Sequence, residues 1–411
     1  MDPAANGGAA AGTRVVLVSG DGGSGRTTLA AATALREAAE GRRTLLLAAD
    51  DPHRRLDRLL GTVLETVPKQ LEAGFHAARL DPEQSFRDAA ARLLGRAAPL
   101  FDLLGVDPLE RDELSALPGA VHLALLDALR THGGSGQWEV LVLDAPPVAG
   151  LLAALALPEQ LDRYLARLIP ENRQAARALR PVLAAVAGVP MPGDWIFEAR
   201  GWTAAELAEV RAVTDASSTT VRLVLDAPSG PQAVAALRGA RAGLALHGQR
   251  VESLLVNRVL PDGADPFLSG LHRAQQQQLA ALRAEWDVPV HPVAHLGREP
   301  EGSADLAALA GSVGPAAAGA GAGAALALEW PVQDLRGSGE EVLVWRIPLP
   351  GAERGDLDLV RRGDDLVLGV GGYRRTLALP SALRRCTVAG AALRDGVLTL
   401  RFAPDPQLWP R

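Results

Sequence analysis

The stretch that decides the fold is RVVLVSGDGGSGRTTLAAATALREAA, residues 14–39. It begins with apolar, β-branched residues, passes through a glycine-rich turn at 20–25, and continues as an Ala-rich pattern from 27 to about 40. That order predicts a buried strand, a loop and a helix. Glycines let successive backbone N–H groups turn toward one point, and the helix N-terminus adds the positive end of its dipole. The stretch therefore predicts an anion cradle.

The turn fits the Walker A spacing G-x-x-x-x-G-K-[ST], with Arg26 in place of the lysine. Arginine keeps the charge and the affinity for phosphate, although its planar fork is broader than an ammonium group. A hydroxyl at Thr27 is suited to ligate Mg²⁺. The residues predicted to contact phosphate are Gly20, Gly22, Gly23, Ser24, Gly25, Arg26, Thr27 and Thr28.

The same turn also satisfies G-x-G-x-x-G, the dinucleotide-binding fingerprint. Asp50, at the end of the next strand pattern, would then hold a ribose hydroxyl, and the chain would be an NAD-dependent enzyme. From this turn alone, both interpretations remain open.

Further apolar strand patterns occur at 44–49, 140–143, 221–225, 253–256 and near 288–293, with helical patterns between them. This alternation predicts an α/β domain with a doubly wound, mostly parallel sheet. Residues 56–135 have a mostly amphipathic helical pattern interrupted by prolines. We expect a helical insertion there, without a further strand.

Four segments stand in the order found in ATPases of the ArsA family, the arsenical-pump and tail-anchored-protein-targeting type. The turn resembles the family's GKGGxGK[ST], with Asp21 and Arg26 replacing two lysines. Residues 140–158, VLVLDAPPVAGLLAALALP, resemble the family's switch II, and residues 48–57, AADDPHRRLD, resemble its switch I. VNRVLP at 256–261 resembles its adenine-binding segment. The resemblance covers about residues 13–310.

The resemblance implies a role for each matching position. Asp144 would hold Mg²⁺ together with Thr27, and Asp50 would orient the attacking water, with Arg26 as the other catalytic residue. Matching the Asp-Pro pair literally selects Asp51 instead of Asp50. The resemblance also assigns adenine contacts to two residues, Asn257 and Pro261. Switch II departs from the family at 149–150, where Ala-Gly replaces Gly-His.

The character of the chain changes after an Ala/Gly-rich segment at 311–328, which we expect to be a linker. Short runs with period-two alternation follow at 341–347, 356–361, 364–370, 373–378, 387–393 and 397–402. They predict a small all-β sandwich over 329–405. Pro350-Gly351, Leu379-Pro380 and the A-x-x-x-x-G-x-L pattern at 391–398 resemble the α-crystallin-like domain of small heat shock proteins.

Composition excludes several functions. A net charge of −6 and a pI near 5.8 argue against wrapping nucleic acid. The single cysteine, Cys386, excludes the cysteine thiolate cluster that holds arsenite in pumping relatives and the Cys-x-x-Cys zinc site of targeting relatives. Residues 1–12 have no signal-peptide pattern and predict a disordered leader. No tract is long enough to span a membrane, so we expect a cytoplasmic protein.

These observations lead to one preferred function and two alternatives. We expect a P-loop ATPase that binds ATP and Mg²⁺ and hydrolyses ATP slowly, because the changed cations affect positioning more than binding. The expected partners are a second copy in a homodimer, or a related ATPase in a heterodimer, and a protein client. The first alternative is a pseudo-ATPase that acts as a chaperone-like partner. The second is the NAD-dependent enzyme.

Overall fold

Eight strands form one large sheet in the computed structural model, which describes residues 12–49, 51–96, 98, 101, 102, 105, 107, 109–168, 193–227, 230–315 and 330–408. The strands are β1 Arg14–Gly20, β2 Thr44–Ala48, β3 Lys69–Glu72, β4 Phe75–Arg79, β5 Val140–Asp144, β6 Thr219–Asp226, β7 Val251–Val259 and β8 Val290–Ala294. Their spatial order is β3-β4-β2-β5-β1-β6-β7-β8. Every neighbouring pair is parallel except β3 with β4.

Helices cover both faces of this sheet. They are α1 Arg26–Ala39, α2 Arg55–Leu60, α3 Pro82–Arg96, α4 Ala120–Ala128, α5 Val148–Leu168, α6 Gly193–Thr214, α7 Pro231–Leu246, α8 Pro266–Glu285 and α9 Gly302–Ala310. Successive residues of β1 serve different cores, with Val15 and Leu17 packing in one and Val16 and Val18 in the other. The continuous apolar runs in the sequence follow from this two-sided burial. The predicted doubly wound, mostly parallel sheet is confirmed.

A second, all-β unit follows. One antiparallel sheet has the order β14-β15-β10-β9 and the other has the order β11-β12-β13. The strands are β9 Val332–Asp334, β10 Leu343–Pro348, β11 Leu357–Arg362, β12 Asp365–Val370, β13 Tyr373–Ala378, β14 Cys386–Arg394 and β15 Val397–Pro404, with a short helix α10 Ser381–Arg384. Alternate residues of both sheets share one apolar core. The predicted small sandwich is confirmed.

The structure differs from the sequence prediction in the expected helical insertion, because β3 and β4 lie within it. β4 has only five residues. β3 has only four, and most of them are exposed. Neither strand therefore carries a strong apolar alternation. Their pairing depends on the neighbouring β2, which is a tertiary effect that a local pattern cannot show. The expected leader lies almost entirely in residues 1–11, and most of the expected linker in 316–329, both outside the described residues.

A buried charged cluster joins three strands of the large sheet. Glu252 on β7 forms ion pairs with Arg222 on β6 and with Arg14 on β1, the latter at 2.6 Å between Nη2 and Oε2. The Thr220 hydroxyl donates to the same carboxylate at 2.7 Å. Arg222 is fully buried and also donates to the carbonyl of Val313, at 3.0 Å. The cluster therefore ties the end of the α/β unit to its central strands.

Glu252→Gln removes the anion that the guanidinium groups of Arg14 and Arg222 share. We expect it to lower the free energy of unfolding by about 3–5 kcal/mol, since it leaves buried cations uncompensated. Urea denaturation followed by circular dichroism measures this loss. Glu206→Gln, at the exposed Arg96–Glu206 pair, is the control and is expected to cost less than about 1 kcal/mol. Equal losses for the two variants would contradict this account of the cluster.

Candidate functional site

The loop between β1 and α1 lies at the carboxyl end of the central strand. Gly20, the last residue of β1, packs so closely against β6 that an added Cβ would stand 2.2 Å from the carbonyl oxygen of Val224. Gly23 and Gly25 have positive φ angles of 81° and 92°, which non-glycine residues rarely adopt. α1 begins at Arg26, directly after Gly25, and has no acidic residue in its first turn. Its N-terminus therefore presents uncompensated positive potential to the loop.

Two residues at the end of β7 brace the loop. The side-chain amide of Asn257 donates to the carbonyl of Ser24 at 2.8 Å, and Nη1 of Arg258 donates to the carbonyl of Gly23 at 2.9 Å. Asn257 is buried and lies so close that a Cβ on Gly25 would stand 2.1 Å from its Nδ2. The outer side of the loop is open, since a Cβ on Gly22 or Gly23 would meet nothing within 4 Å.

The brace itself is held by backbone and side-chain contacts. Arg258 has φ of 60°, a left-handed conformation that places its side chain over the loop, and it pairs with Asp226 at 3.1 Å. α8 anchors the chain just beyond Arg258, because the backbone N–H of Leu260 donates to Oε1 of the buried Gln275 at 2.8 Å. Pro261 comes next in the chain, directly beyond this anchor.

The adjacent strand β5 ends at Asp144, whose side chain is buried. β1 and β5 are paired so that Val18 stands opposite Asp144, which brings this carboxylate to the same sheet edge as the loop. The Ser19 hydroxyl donates to the carbonyl of Pro146 at 2.7 Å. Nη1 of Arg26 donates to the carbonyl of Ala145. The start of switch II is thus hydrogen-bonded to both ends of the loop.

The remaining loop residues are placed as follows. Asp21 is exposed, while Ser24 is buried and its hydroxyl donates to the carbonyl of Asp21 at 2.8 Å. Thr27 and Thr28 lie in the first turn of α1, both half-buried. The internal bond of the Ser24 hydroxyl stabilises the turn.

Switch I follows β2. Asp50, the residue that the sequence favoured for orienting water, lies outside the described residues. Asp51 accepts hydrogen bonds from the backbone N–H groups of Arg55 at 2.8 Å and Leu56 at 2.9 Å. Its carboxylate therefore caps the start of α2. Arg79, at the end of β4, donates to the Asp51 carbonyl at 3.2 Å and fixes the same segment.

The site offers few ligands for a metal ion by itself. Within the described parts of the chain, no group of three His, Cys, Asp or Glu side chains is close enough to hold one. A hydroxyl at Thr27 and the carboxylate of Asp144 fit a Mg²⁺ ion that takes most of its other ligands from phosphate and water, as this hard cation prefers. The chemistry of the donor set therefore fits Mg²⁺ bound together with a nucleotide.

Comparison with known proteins agrees with this geometry. The model of the anion-transporting ATPase family, ArsA, matches residues 13–313. The chain belongs to the ArsA ATPase family. The HSP20-like domain found in ArsA proteins matches residues 340–402, as the α-crystallin-like pattern predicted. Family membership supports the phosphate-loop interpretation of the glycine-rich turn over the dinucleotide interpretation.

Similar proteins match over most of the chain. A Streptomyces coelicolor protein described as uncharacterized, SCO2128, is 51% identical over 359 residues, 87% of this chain and 89% of that protein. Protein Rv2184c of Mycobacterium tuberculosis is 33% identical over 347 residues, 77% of this chain and 75% of its own. A protein of Aquifex aeolicus, provisionally named arsenical pump-driving ATPase 1, is 26% identical over 298 residues, 69% of this chain and 72% of its own.

No described helix of the ArsA-family chain is both long and apolar enough to cross a bilayer. Sequence reasoning missed two site residues, Arg258 and Arg79. Arg258 stands inside the VNRVLP motif, so its position carried a signal, but its contact with the loop depends on an unusual φ angle. Arg79 carried no signal, because β4 itself was not predicted.

Gly25→Ala forces a Cβ against Asn257 and strains a positive φ. We expect a loss of about 2–4 kcal/mol of unfolding free energy from backbone strain and the displaced hydrogen bond. Gly22→Ala, which meets open space, is the control and is expected to change stability by only about 0.5 kcal/mol. In an Asn257→Ala background the cost of Gly25→Ala should shrink. Strictly additive losses in chemical denaturation would show that the two residues do not touch.

Proposed function

We propose that this ArsA-family protein binds Mg²⁺ and ATP at the β1–α1 loop and hydrolyses ATP slowly to drive a conformational switch. The observation that carries the proposal is the pair of hydrogen bonds from Asn257 and Arg258 to the carbonyls of Ser24 and Gly23. A trans peptide holds its C=O and N–H on opposite sides. Drawing the Ser24 carbonyl toward β7 therefore turns the N–H group of Gly25 away from it, where an anion can accept it, while the N–H group of Ser24 donates to the carbonyl of Asp21 at 3.4 Å.

Charge on the loop comes from Arg26. Its guanidinium is bonded to the neutral carbonyl of Ala145, and a phosphate oxygen is a stronger acceptor for the same group. Nucleotide binding is therefore expected to draw Arg26 from switch II onto the phosphates. Bound Mg²⁺ would supply neutralisation of phosphate charge, with Thr27 and Asp144 as its protein ligands.

Asp50 is the proposed residue that orients the attacking water. The capping bonds of Asp51 support this choice over Asp51, because a carboxylate that already accepts two backbone hydrogen bonds is fixed in a structural role. The reaction needs little covalent chemistry from the protein, so positioning decides the rate. The broader fork of Arg26 and the carboxylate of Asp21 both work against good positioning, which supports slow turnover.

The base would lie beside the brace. The Asn257 amide nitrogen is engaged with the loop, which leaves its carbonyl oxygen to accept from an adenine amino group. The side chain of Arg258 is 36% exposed, and its planar guanidinium offers a surface on which a base can stack. Pro261 follows as an apolar neighbour. These assignments extend the motif-based prediction of adenine contacts by one residue, Arg258.

The driven process is proposed to be the handling of a protein client or partner rather than arsenite transport. The single cysteine is buried in the sandwich core, so one chain offers no group of thiolates for a metalloid. Dimerisation, with a second copy or a related ATPase, belongs to the same proposal. Asp21 replaces the lysine that in relatives of this family reaches across the dimer, so any such dimer needs another cation at that place.

A second candidate is a pseudo-ATPase that binds nucleotide without turnover. It is favoured by one observation, the exposed carboxylate of Asp21 on the loop. The two candidates differ in a measurable way, because both bind Mg²⁺·ATP but only the first converts it to ADP and phosphate.

Isothermal titration and single-turnover hydrolysis test the proposal. Wild type should bind ATP only with Mg²⁺ present and release phosphate slowly. Arg26→Ala should weaken ATP binding about 10- to 100-fold, because it removes a charged phosphate contact, and Asp144→Asn should slow hydrolysis about 100-fold or more. Arg96→Ala, a distant exposed arginine, should change neither. Tight binding without turnover would select the pseudo-ATPase, and absence of binding would reject both.

Arg258→Ala separates base contacts from phosphate contacts. If Arg258 stacks on the base, its loss should lower the affinities for ATP and for ADP by the same factor, about 3- to 30-fold. Arg26→Ala should lower the affinity for ATP more than the affinity for ADP. Competition binding with a fluorescent nucleotide measures both ratios. A larger effect of Arg258→Ala on ATP than on ADP would place this guanidinium on the terminal phosphate instead.

A further inference from the structure

The sandwich packs directly on two helices of the ATPase unit, α5 and α7. Ala242 and Leu246 of α7 belong to the apolar core of the sandwich. The ring of Tyr373, the first residue of β13, lies against Gly243, where an added Cβ would stand 2.5 Å from the ring and 3.0 Å from Leu152 of α5. The absence of a side chain at Gly243 therefore makes room for this ring. The two units share a continuous packed interface.

Polar contacts at the same interface come from β13. Arg375 is largely buried, forms an ion pair with Glu159 of α5 at 2.9 Å, and donates to the carbonyl of Leu246 at 2.7 Å. Arg163 of α5 donates to the carbonyl of Thr376 at 3.2 Å. Arg375 stands opposite Leu368 of β12, so it projects from the face of the sheet that carries the sandwich core. Its contacts with α5 and α7 therefore lie beside that core.

The interface also includes a histidine. His247, at the end of α7, is half-buried, and its burial together with the positive charge of Arg375 lowers its pKa to about 4. A charged Arg375 in such surroundings needs its partners, since an unpaired buried cation is costly. The Arg375–Glu159 pair therefore responds strongly to a shift of α5.

α5 is the helix that continues switch II. It begins at Val148, four residues after Asp144, and contains Pro158 in its interior. A proline there removes one hydrogen bond of the helix and favours a bend. β13 is bonded to the helix after that point, through the pair of Arg375 with Glu159 and the hydrogen bond from Arg163 to the carbonyl of Thr376. At the start of the strand, Tyr373 packs against the apolar cluster to which Leu152 belongs. The strand is therefore held to the part of the helix that follows Pro158.

We propose that the sandwich is an intramolecular regulator of the nucleotide site, and that β13 acts through α5. The proposal rests on the ATP binding proposed above. In the arrangement of this structure Arg26 is bonded to Ala145 of switch II while β13 is docked on α5. A phosphate that draws Arg26 away from Ala145 frees the start of α5 to move, which loosens β13. Because coupling is reciprocal, loosening β13 favours nucleotide binding.

Hydrogen–deuterium exchange of the full chain tests the forward direction. Saturating Mg²⁺·ATP should speed exchange of the amides in 373–378 several-fold, while β15, inside the other sheet of the sandwich, should not change. This measurement needs no variant and so does not depend on the folding of one. Unchanged or slower exchange in 373–378, at a nucleotide concentration shown by titration to saturate the site, would overturn the proposal.

Arg375→Ala tests the reverse direction, with Arg374→Ala as its matched control. Arg374 is the adjacent residue on the same strand, but it is exposed and pairs with Asp358 of β11 rather than with the ATPase unit. We expect Arg375→Ala to tighten Mg²⁺·ATP binding about 5-fold or more, within the usual range of coupling between sites, and Arg374→Ala to leave it unchanged. A merely structural contact would not raise affinity, so an unchanged or weaker affinity contradicts the proposal.

These results also separate this proposal from the proposed function. If wild type binds Mg²⁺·ATP but neither the exchange rate nor the affinity of Arg375→Ala changes, only the coupling is wrong. If wild type binds no nucleotide, the proposed function is wrong and the coupling falls with it.

Discussion

The structure depends on close contact between the β1–α1 loop and the end of β7. Asn257 occupies the space that a side chain at Gly25 would need, and its amide holds the carbonyl of Ser24. A glycine is required there on two grounds, since φ is positive and a Cβ has no room. This contact fixes the direction of the loop's peptide groups, and the proposed anion cradle depends on that direction. Without the contact, the loop would be an ordinary glycine-rich turn.

Sheet order brings the other parts of the site to this loop. β1 lies between β5 and β6, with β7 next to β6, so residues more than a hundred positions apart in sequence meet at one sheet edge. In open α/β sheets, ligands bind at the carboxyl ends of the strands where the order reverses, and this site follows that rule. Because α5 continues from the end of β5, a change at the loop has a direct structural path to the sandwich. The path is short and consists of hydrogen bonds, one helix and packed side chains.

Much of this was predictable from the sequence. Buried parallel strands leave continuous apolar runs and sandwich strands leave alternation, so β1, β5, β12 and β13 were found close to their observed bounds. Short strands such as β3 were missed because they depend on a neighbour for their pairing. The positions of the motif residues were predictable, but their contacts were not. The contacts of Arg26 with phosphate and of Asn257 with adenine stay predictions, whereas the bonds that these side chains make to Ala145 and Ser24 carried no sequence signal. Such contacts depend on side-chain reach and backbone direction, which a linear pattern does not encode.

The central claim is that backbone N–H groups of the loop form an anion cradle that works with arginine in place of lysine. A crystal structure with Mg²⁺ and a non-hydrolysable ATP analogue tests it most directly. The account predicts the β- and γ-phosphates within hydrogen-bond distance of amide nitrogens in 22–28, with the Arg26 guanidinium on phosphate and the Asn257–Ser24 bond intact. An analogue bound elsewhere, or phosphates that contact side chains alone while the loop amides point away, would contradict it.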